Sequence, residues 1–291
     1  MDRASIVVTG STGRVGTALL RGLSGRGIPV RALTRHPDRQ PTQPGVDWVF
    51  ADLTEPSTLP PAMEGCRELF VLTSNDDRML EAQLNAITAA TSAGVDHVVK
   101  QSALGASDHS KSTIGRWHYE VEKALISSGM GWTILRPHYF MDNLLSEAES
   151  LRTTSELRSP VGPGRVPFID SADIGAVAAA LLAKSDHRSE KIVLTGGQAL
   201  NYEEVAVEMS QSFGRTIRYR EESMEEAGER LAARGIPPRE VQSMLALWSY
   251  QRAGGPTAQI SPSVPQILGR DPRTMRQFLD EHKSIFSTST C

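Results

Sequence analysis

A glycine-rich loop near the start of the chain has the residue types and spacing that bind a dinucleotide pyrophosphate. The loop reads Gly10-Ser11-Thr12-Gly13-Arg14-Val15-Gly16, after an apolar β-branched segment and before apolar residues at helical spacing. Glycines let the backbone approach the phosphates, and a helix N-terminus offers free N–H groups and a positive dipole end. Glycine turns also join strands to helices for structural reasons alone, but the flanking patterns favour a cofactor site.

The residue types after the second predicted strand indicate which dinucleotide binds. An NAD-preferring fold usually carries a carboxylate about 20 residues past the glycines, for the ribose 2′-hydroxyl. This chain has Arg35 there, with Arg39 close behind, and a guanidinium can pair with a 2′-phosphate. We expect Arg14, inside the glycine loop, to add positive charge on the same side. NADP (NADPH) is therefore predicted over NAD, with an ordinary surface arginine as the alternative for Arg35.

Further strand ends supply the other candidate contacts for the cofactor. Asp52 and Leu53 end the third strand, where Asp52 could accept from the adenine amino group or only form a turn. Thr73, Ser74 and Asn75 close the fourth strand and should run beside the ribose and nicotinamide, or are only a polar strand end. Pro137 and Tyr139, at the end of the sixth strand, complete the predicted cofactor set.

A parallel sheet is needed to bring these residues to one edge. Strand and helix patterns alternate, which predicts an α/β fold with a Rossmann-type doubly wound sheet and right-handed crossovers. The predicted strands are Ser5–Thr9, Val30–Thr34, Val46–Phe50, Leu69–Thr73, His97–Gln101 and Trp132–Arg136. The later predictions are a short strand at Val166–Ile169, a helix over Ser171–Ala183, a last core strand at Lys191–Thr195, mostly charged helix over Asn201–Gly254, and a final helix with Asp271 as N-cap.

This pattern predicts two parts of the chain. Residues 1–155 form the NADP-binding domain, with core elements continuing at about 165–197, and residues 198–291 form a small, mostly helical substrate-binding lobe. The lobe is expected over the carboxyl edge of the sheet, where ligands of such folds bind.

Composition limits the class of protein. The 291 residues are 39% hydrophobic with a formal net charge of −3 and no basic block, which argues against nucleic acid or membrane as partner. No apolar run is long enough to span a bilayer, no signal peptide is recognisable, and the cysteines are Cys66 and Cys291. We expect a cytoplasmic monomer or homodimer without a metal site, acting on a small aromatic or carbonyl molecule.

Taken together, these motifs resemble the NmrA-like atypical short-chain dehydrogenases. The resemblance rests on the glycine loop, Thr34-Arg35, Asp52-Leu53 and the segment Leu135–Asn143, and it continues through Phe168–Gly175 to Arg273–Leu279. That family includes quinone oxidoreductases, triphenylmethane dye reductases, isoflavone-reductase-like enzymes and NADP-sensing regulators. The resemblance thus implies a Rossmann fold and NADP(H) binding, in either a reductase or a regulator.

The helix that begins near residue 113 carries two competing catalytic patterns. Tyr119 and Lys123 spell the Tyr-x-x-x-Lys pair of the main short-chain dehydrogenases. However, the apolar face of this helix, formed by Trp117, Val121, Ala124 and Leu125, should face the core and leave that pair in solvent. The family pattern of a Lys or His followed four residues later by Glu matches His118 and Glu122 instead.

His118 is therefore one predicted catalytic residue, since a histidine can donate a proton or hold a ribose hydroxyl. The alternative is a simple pair between His118 and Glu122 at i,i+4 spacing. Ser102, at the end of the fifth strand, matches the family's serine and is the other predicted catalytic residue. The usual tyrosine acid is missing, because Ile114 stands at its position.

The missing acid favours one class of substrate. Hydride addition to a simple ketone develops an alkoxide that needs a proton or an oxyanion stabiliser, whereas a quinone or dye spreads the charge over its own π-system. We therefore predict an NADPH-dependent reductase of a conjugated aromatic, quinone or ketone, with a non-catalytic NADP(H)-sensing regulator as the alternative and an isomerase as a less favoured third. Tyr139, Phe140 and Met141 could line an aromatic pocket or belong to the core.

Overall fold

The computed structural model describes residues 6–184 and 189–287 as a three-layer α/β structure followed by a smaller, mostly helical part. In chain order its elements are β1 Ile6–Val8, α1 Arg14–Ser24, β2 Val30–Thr34, β3 Val46–Phe50, α2 Leu59–Met63, β4 Glu68–Val71, α3 Met79–Ser92, β5 His97–Gln101, α4 Thr113–Ile126, β6 Gly131–Pro137, α5 Ala148–Thr154, β7 Glu156–Ser159, α6 Ser171–Lys184, β8 Glu190–Leu194, α7 Tyr202–Phe213, β9 Arg218–Glu221, α8 Met224–Ala233, α9 Pro238–Ala253, α10 Ser263–Leu268, α11 Met275–Glu281 and α12 Lys283–Phe286.

The central sheet has seven parallel strands in the order β3-β2-β1-β4-β5-β6-β8. The strand order reverses between β1 and β4, so the loops after these two strands diverge and leave a crevice at the carboxyl edge. The predicted doubly wound sheet is confirmed, and the predicted last core strand is β8, which pairs with β6. Every candidate site residue on a strand end therefore faces one edge of the sheet.

Helices α1 and α6 pack against each other unusually closely. A Cβ on Gly22 would lie 2.8 Å from the Cβ of Ala179, and one on Gly175 would lie 2.6 Å from the Cβ of Ala18. Small residues are required here because any larger side chain would push the two backbones apart. The apolar stripe of α1, including Leu19 and Leu23, is buried in the same core, so the N-terminus of α1 has a fixed position.

A second apolar core lies under the helical part of the chain. It combines residues from 141–168 with side chains of α7, α8, α9 and α11. A two-stranded parallel sheet of β7 and β9 borders it, and neither strand was predicted. The domain division at residue 155 stays a prediction.

The structure differs from the sequence-based expectations in two local details. Val166–Ile169 does not form a strand. Val166 makes an isolated antiparallel β-bridge with Leu200, and Ile169 makes an isolated parallel β-bridge with Phe140. The helix predicted to begin at Asp271 is α11, which is followed by the short α12; its N-cap is Thr274, whose side chain accepts from the Gln277 N–H in a reciprocal capping box, and not Asp271. Ser5 and Cys291 lie outside the described residues.

The described residues contain neither a candidate membrane span nor a candidate metal site. No helix in that part of the chain combines the length and the apolar character needed to cross a membrane. In the same residues, no group of three or more His, Cys, Asp or Glu side chains is placed to hold a metal ion.

Candidate active site

The glycine loop leaves β1 in a tight turn and enters α1 directly. Gly10 has a φ of 61°, and a Cβ there would lie 2.7 Å from the Leu72 carbonyl oxygen. A Cβ on Gly16 would lie 2.2 Å from the Gly10 carbonyl oxygen, so the first turn of α1 folds back onto the loop. Gly13 is the N-cap of α1 and lacks a side chain to cap the first-turn N–H groups. Those donors therefore remain available to a phosphate.

The side chains of this loop have different surroundings. Ser11 is buried and donates its hydroxyl to the Leu33 carbonyl oxygen over 2.6 Å, which ties the loop to β2. Thr12 is exposed, and Val15 is packed in the core. The expectation that Arg14 adds charge beside Arg35 is wrong. The Nε of Arg14 lies 3.4 Å from Oδ1 of Asp142, which follows β6, whereas Arg35 follows β2 on the opposite side of β1.

Arg35 and Asp52 lie after the neighbouring strands β2 and β3. Arg35 is exposed, and no residue in 6–184 or 189–287 forms a salt bridge or hydrogen bond with its guanidinium. Asp52 accepts from the backbone N–H and the hydroxyl of Thr54, and these hydrogen bonds lower its pKa, as do the charges of Arg35 and Arg78. Asp52 thus forms the turn considered as its alternative role.

The other predicted cofactor contacts are placed as follows. Thr73 Oγ1 accepts from Gln83 Nε2, Ser74 donates to Asp76, and Asn75 is exposed in the loop after β4. Leu53 is partly buried, packed against the core beside α2 and α3. Pro137 is the buried last residue of β6. Tyr139 lies edge-on to Phe168 with centroids 5.9 Å apart and packs against the second core, where burial raises its pKa.

The predicted catalytic residue His118 is buried on the inner face of α4, with 4% of its surface exposed. Its Nδ1 lies 3.0 Å from the Nζ of Lys100, a completely buried lysine on β5. Among the described residues, its Nε2 has no hydrogen-bond partner. Burial, followed by the charges of Lys100 and Arg136, lowers the pKa of His118 well below its usual value, so its ring is neutral at pH 7.

Glu122, one turn further along α4, belongs to a separate set of contacts. Its carboxylate accepts from Ser102 Oγ at 2.5 Å and from Arg136 at 2.6 and 3.0 Å, and it lies 3.0 Å from Lys191 Nζ. Burial alone would raise its pKa, but these hydrogen bonds outweigh burial and lower it. The alternative of a simple His118–Glu122 pair is therefore wrong, because other cations occupy Glu122.

The outer face of α4 carries the second catalytic pattern. Lys123 is exposed, and its Nζ lies 2.9 Å from Glu120 Oε2 and 5.2 Å from the centroid of the Tyr119 ring. The predicted core face is corrected at Trp117, which is only partly buried. Its ring faces α9 instead, with the guanidinium carbon of Arg239 4.7 Å from the ring centroid. Arg239 also forms a salt bridge with Asp77 in the loop after β4. This Arg239 bridge joins α9 to the loop after β4 and to α4, which follows β5.

Several residues near this edge have no role predicted from the sequence. Lys100 and Arg136 were not assigned roles, although a lysine within the apolar segment His97–Gln101 was a usable signal. Two amide oxygens, Gln83 Oε1 and Gln101 Oε1, are buried without a hydrogen-bond partner among the described residues. Such acceptors are costly unless a ligand donates to them.

Comparison with known proteins identifies the family. The model of the NmrA-like family matches residues 2–279. An NAD(P)H azoreductase from Xenophilus azovorans is 35% identical over 98% of this chain and 100% of its own length. A (4-alkanoyl-5-oxo-2,5-dihydrofuran-3-yl)methyl phosphate reductase from Streptomyces griseus subsp. griseus is 32% identical over 97% of this chain and 99% of its own length.

A solved structure agrees with this assignment. The NADPH-dependent quinone oxidoreductase from Escherichia coli, in complex with NADPH, is 25% identical with a TM-score of 0.84, over 95% of this chain and 99% of that chain. Fold and glycine loop together define a Rossmann-type, nucleotide-binding α/β protein of the atypical short-chain dehydrogenase class. The chain belongs to the NmrA-like family, so the resemblance noted in the sequence is confirmed.

Proposed function

We propose that this protein is an NADPH-dependent reductase that delivers hydride to a conjugated acceptor, such as a quinone, an azo compound or a conjugated carbonyl. At the level of class it is an NAD(P)H-dependent oxidoreductase, in line with relatives named as an azoreductase, a dihydrofuranyl methyl phosphate reductase and a quinone oxidoreductase. The regulatory alternative is not favoured, because these relatives match nearly the whole chain and are all named for redox activities.

The residues present fit a reduced dinucleotide with a 2′-phosphate. The glycine loop and the N-terminus of α1 would hold the pyrophosphate, and the exposed Arg35 guanidinium would hold the 2′-phosphate. When bound, the reduced nicotinamide supplies the hydride. Thr73 and the buried acceptor Gln83 Oε1 lie after β4, on the opposite side of β1 from Arg35, where the nicotinamide half is expected.

The observation that carries the choice of acceptor is the state of His118. A neutral imidazole with an unpartnered Nε2 can donate one hydrogen bond or proton, but it is a weak acid. Ser102 has committed its hydroxyl proton to Glu122, and Lys123 of the Tyr119 pattern lies in solvent. An acceptor that spreads negative charge over a conjugated system needs only this limited assistance.

The helical part of the chain would complete the substrate site. In the lobe predicted for residues 198–291, α9 would stand beside the edge, because its Arg239 contacts Asp77 and Trp117. A small aromatic substrate would enter next to this bridge. A cytoplasmic monomer or homodimer remains the expected form of the protein.

The test is NADPH oxidation with matched acceptors. We expect turnover with 1,4-benzoquinone and with an azo dye, and far slower turnover with cyclohexanone. His118→Gln should lower kcat with the azo dye at least about tenfold, since general acids contribute about 10²–10⁴ in rate, while Tyr119→Phe should not change it. Inertness with every acceptor, or loss of activity in Tyr119→Phe alone, would refute the proposed function.

A further inference from the structure

Lys100 is a charged side chain in an otherwise apolar part of β5. Its side chain is completely buried, between the strands and the inner face of α4. Nζ donates to the Gln101 carbonyl oxygen over 2.8 Å and lies 3.0 Å from His118 Nδ1. Burying a lysine is unfavourable unless its donors are used, and here one of them is directed at a candidate catalytic ring.

The charges around this pair are unbalanced. Arg136 on β6 and Lys191 on β8 both contact the carboxylate of Glu122 on α4, and the charge of Glu122 also acts on Lys100 without contacting it. Burial lowers the pKa of Lys100 to about 7; Glu122 opposes this shift and Arg136 adds to it. The ammonium of Lys100 can therefore lose a proton near neutral pH, while the ring of His118 stays uncharged.

His118 lies one helical turn nearer to the carboxyl edge of the sheet than Glu122. Helix α4 connects the parallel strands β5 and β6, so it begins at the carboxyl edge and runs back along the sheet. His118 precedes Glu122 by one turn, about 6 Å along the helix axis. Lys100 contacts Nδ1 of this ring, so Nε2 is the ring nitrogen left for a substrate.

We propose that Lys100 is a positioning residue for His118: it donates to Nδ1, fixes the ring proton on Nε2, and replaces that proton after His118 gives it to the acceptor. An ammonium group has donors only, so Nδ1 must accept and the neutral ring must carry its proton on Nε2. This inference rests on the proposed reductase function.

The proton transfers balance within the pair. A new N–H or O–H bond forms on the acceptor as the Nε2–H bond of His118 breaks. A proton moves from Lys100 Nζ to Nδ1, so the ring ends neutral with its proton on Nδ1 and Lys100 becomes a neutral amine. Solvent then protonates Nε2 and the Nδ1 proton returns to Nζ, which restores the Nε2–H ring and the ammonium. No electrons pass through either side chain.

The first test does not depend on activity. In the protein with ¹⁵N-labelled histidine, the nitrogen shifts of His118, assigned with His118→Gln, report the tautomer at a pH about one unit below the Lys100 pKa of about 7. We expect the Nε2–H tautomer in the wild type and in the control Lys123→Met, and a mixture of tautomers in Lys100→Met. An Nδ1–H tautomer in the wild type would overturn the proposal, whatever the enzyme turns over.

The second test uses the pH profile of azo-dye reduction. In the wild type, kcat should fall as pH rises through about 7, because the ammonium form of Lys100 is the proton source. Lys100→Met should lose about 10- to 100-fold in kcat, with a flat profile over this range and an unchanged Kd for NADPH. Lys100→Arg should restore the Nε2–H tautomer but not the decline near pH 7, because a guanidinium does not release its proton.

Two outcomes separate this inference from the proposed function. A wild type inert towards all acceptors refutes the reductase proposal and the proton delivery together, while the tautomer measurement still decides whether Lys100 orients His118. An active Lys100→Met protein that keeps the decline near pH 7 refutes proton delivery by Lys100 and leaves the reductase proposal intact. Thermal unfolding of each variant shows whether it is folded at the assay temperature.

Discussion

Replacing Arg35 by alanine should weaken the binding of NADPH and leave the binding of NADH unchanged. The guanidinium is exposed, directly follows β2, and has no partner among the described residues, so its loss breaks no internal contact. A hydrogen bond between charged partners contributes about 1.5–3 kcal/mol, and exposure to salt and water favours the lower part of that range. With about 1.4 kcal/mol per tenfold change, Kd for NADPH should rise about 10- to 30-fold.

Calorimetric titration of both cofactors at low and high salt measures this effect. Arg35→Asp should weaken NADPH binding further, because a carboxylate repels the 2′-phosphate. The control is Arg21→Ala, which removes an exposed arginine from the last turn of α1, far from the loop that begins the helix. Equal losses for NADPH and NADH, or an equal loss in the Arg21 control, would refute the assignment of Arg35 to the 2′-phosphate.

Two further substitutions test the loop and the buried cluster. Gly16→Ala adds a Cβ only 2.2 Å from the Gly10 carbonyl oxygen, so it should destabilise the protein by about 1–3 kcal/mol and reduce NADPH affinity. An unchanged thermal unfolding temperature together with an unchanged Kd for NADPH would contradict the tight turn. Glu122→Gln leaves the partly buried Arg136 without its carboxylate and should cost about 3 kcal/mol in denaturant unfolding, the lower end of the range for a buried pair, because water reaches the guanidinium. Because folding lowers the Glu122 pKa, this stabilisation is present above the pKa of the unfolded chain and disappears as pH falls through that of the folded protein. A difference from the wild type that stays constant in acid would show that the carboxylate charge is not responsible.

Local sequence patterns predicted most of the fold. The segment Val30–Thr34 is apolar and β-branched enough to identify a buried strand, and the stripe Val15, Leu19, Leu20 and Leu23 identified the inner face of α1. The edge where candidate site residues gather follows from parallel strand order alone. For this reason the placement of Arg35, Ser102 and His118 near one edge could be predicted without coordinates.

Contacts between distant segments could not be predicted in the same way. β7 and β9 read Glu-Leu-Arg-Ser and Arg-Tyr-Arg-Glu, and neither has the apolar alternation that marks a strand. The i,i+4 spacing suggested that Glu122 pairs with His118, but that carboxylate binds Arg136 on β6 and Lys191 on β8. The buried position of Lys100 likewise depends on β4 and β6 on either side of β5.

The close packing of α1 against α6 has a consequence for how the chain folds during synthesis. The apolar stripe of α1 shares its core with Ile174, Val177, Ala178 and Leu181 of α6, more than 140 positions later in the sequence. A nascent chain therefore cannot complete the burial of α1 until the ribosome has released residue 184, and a fragment ending at residue 155 would leave the part of that stripe that faces α6 open to chaperones and aggregation. The loop that would hold the phosphates is among the first segments to be translated and among the last to become rigid.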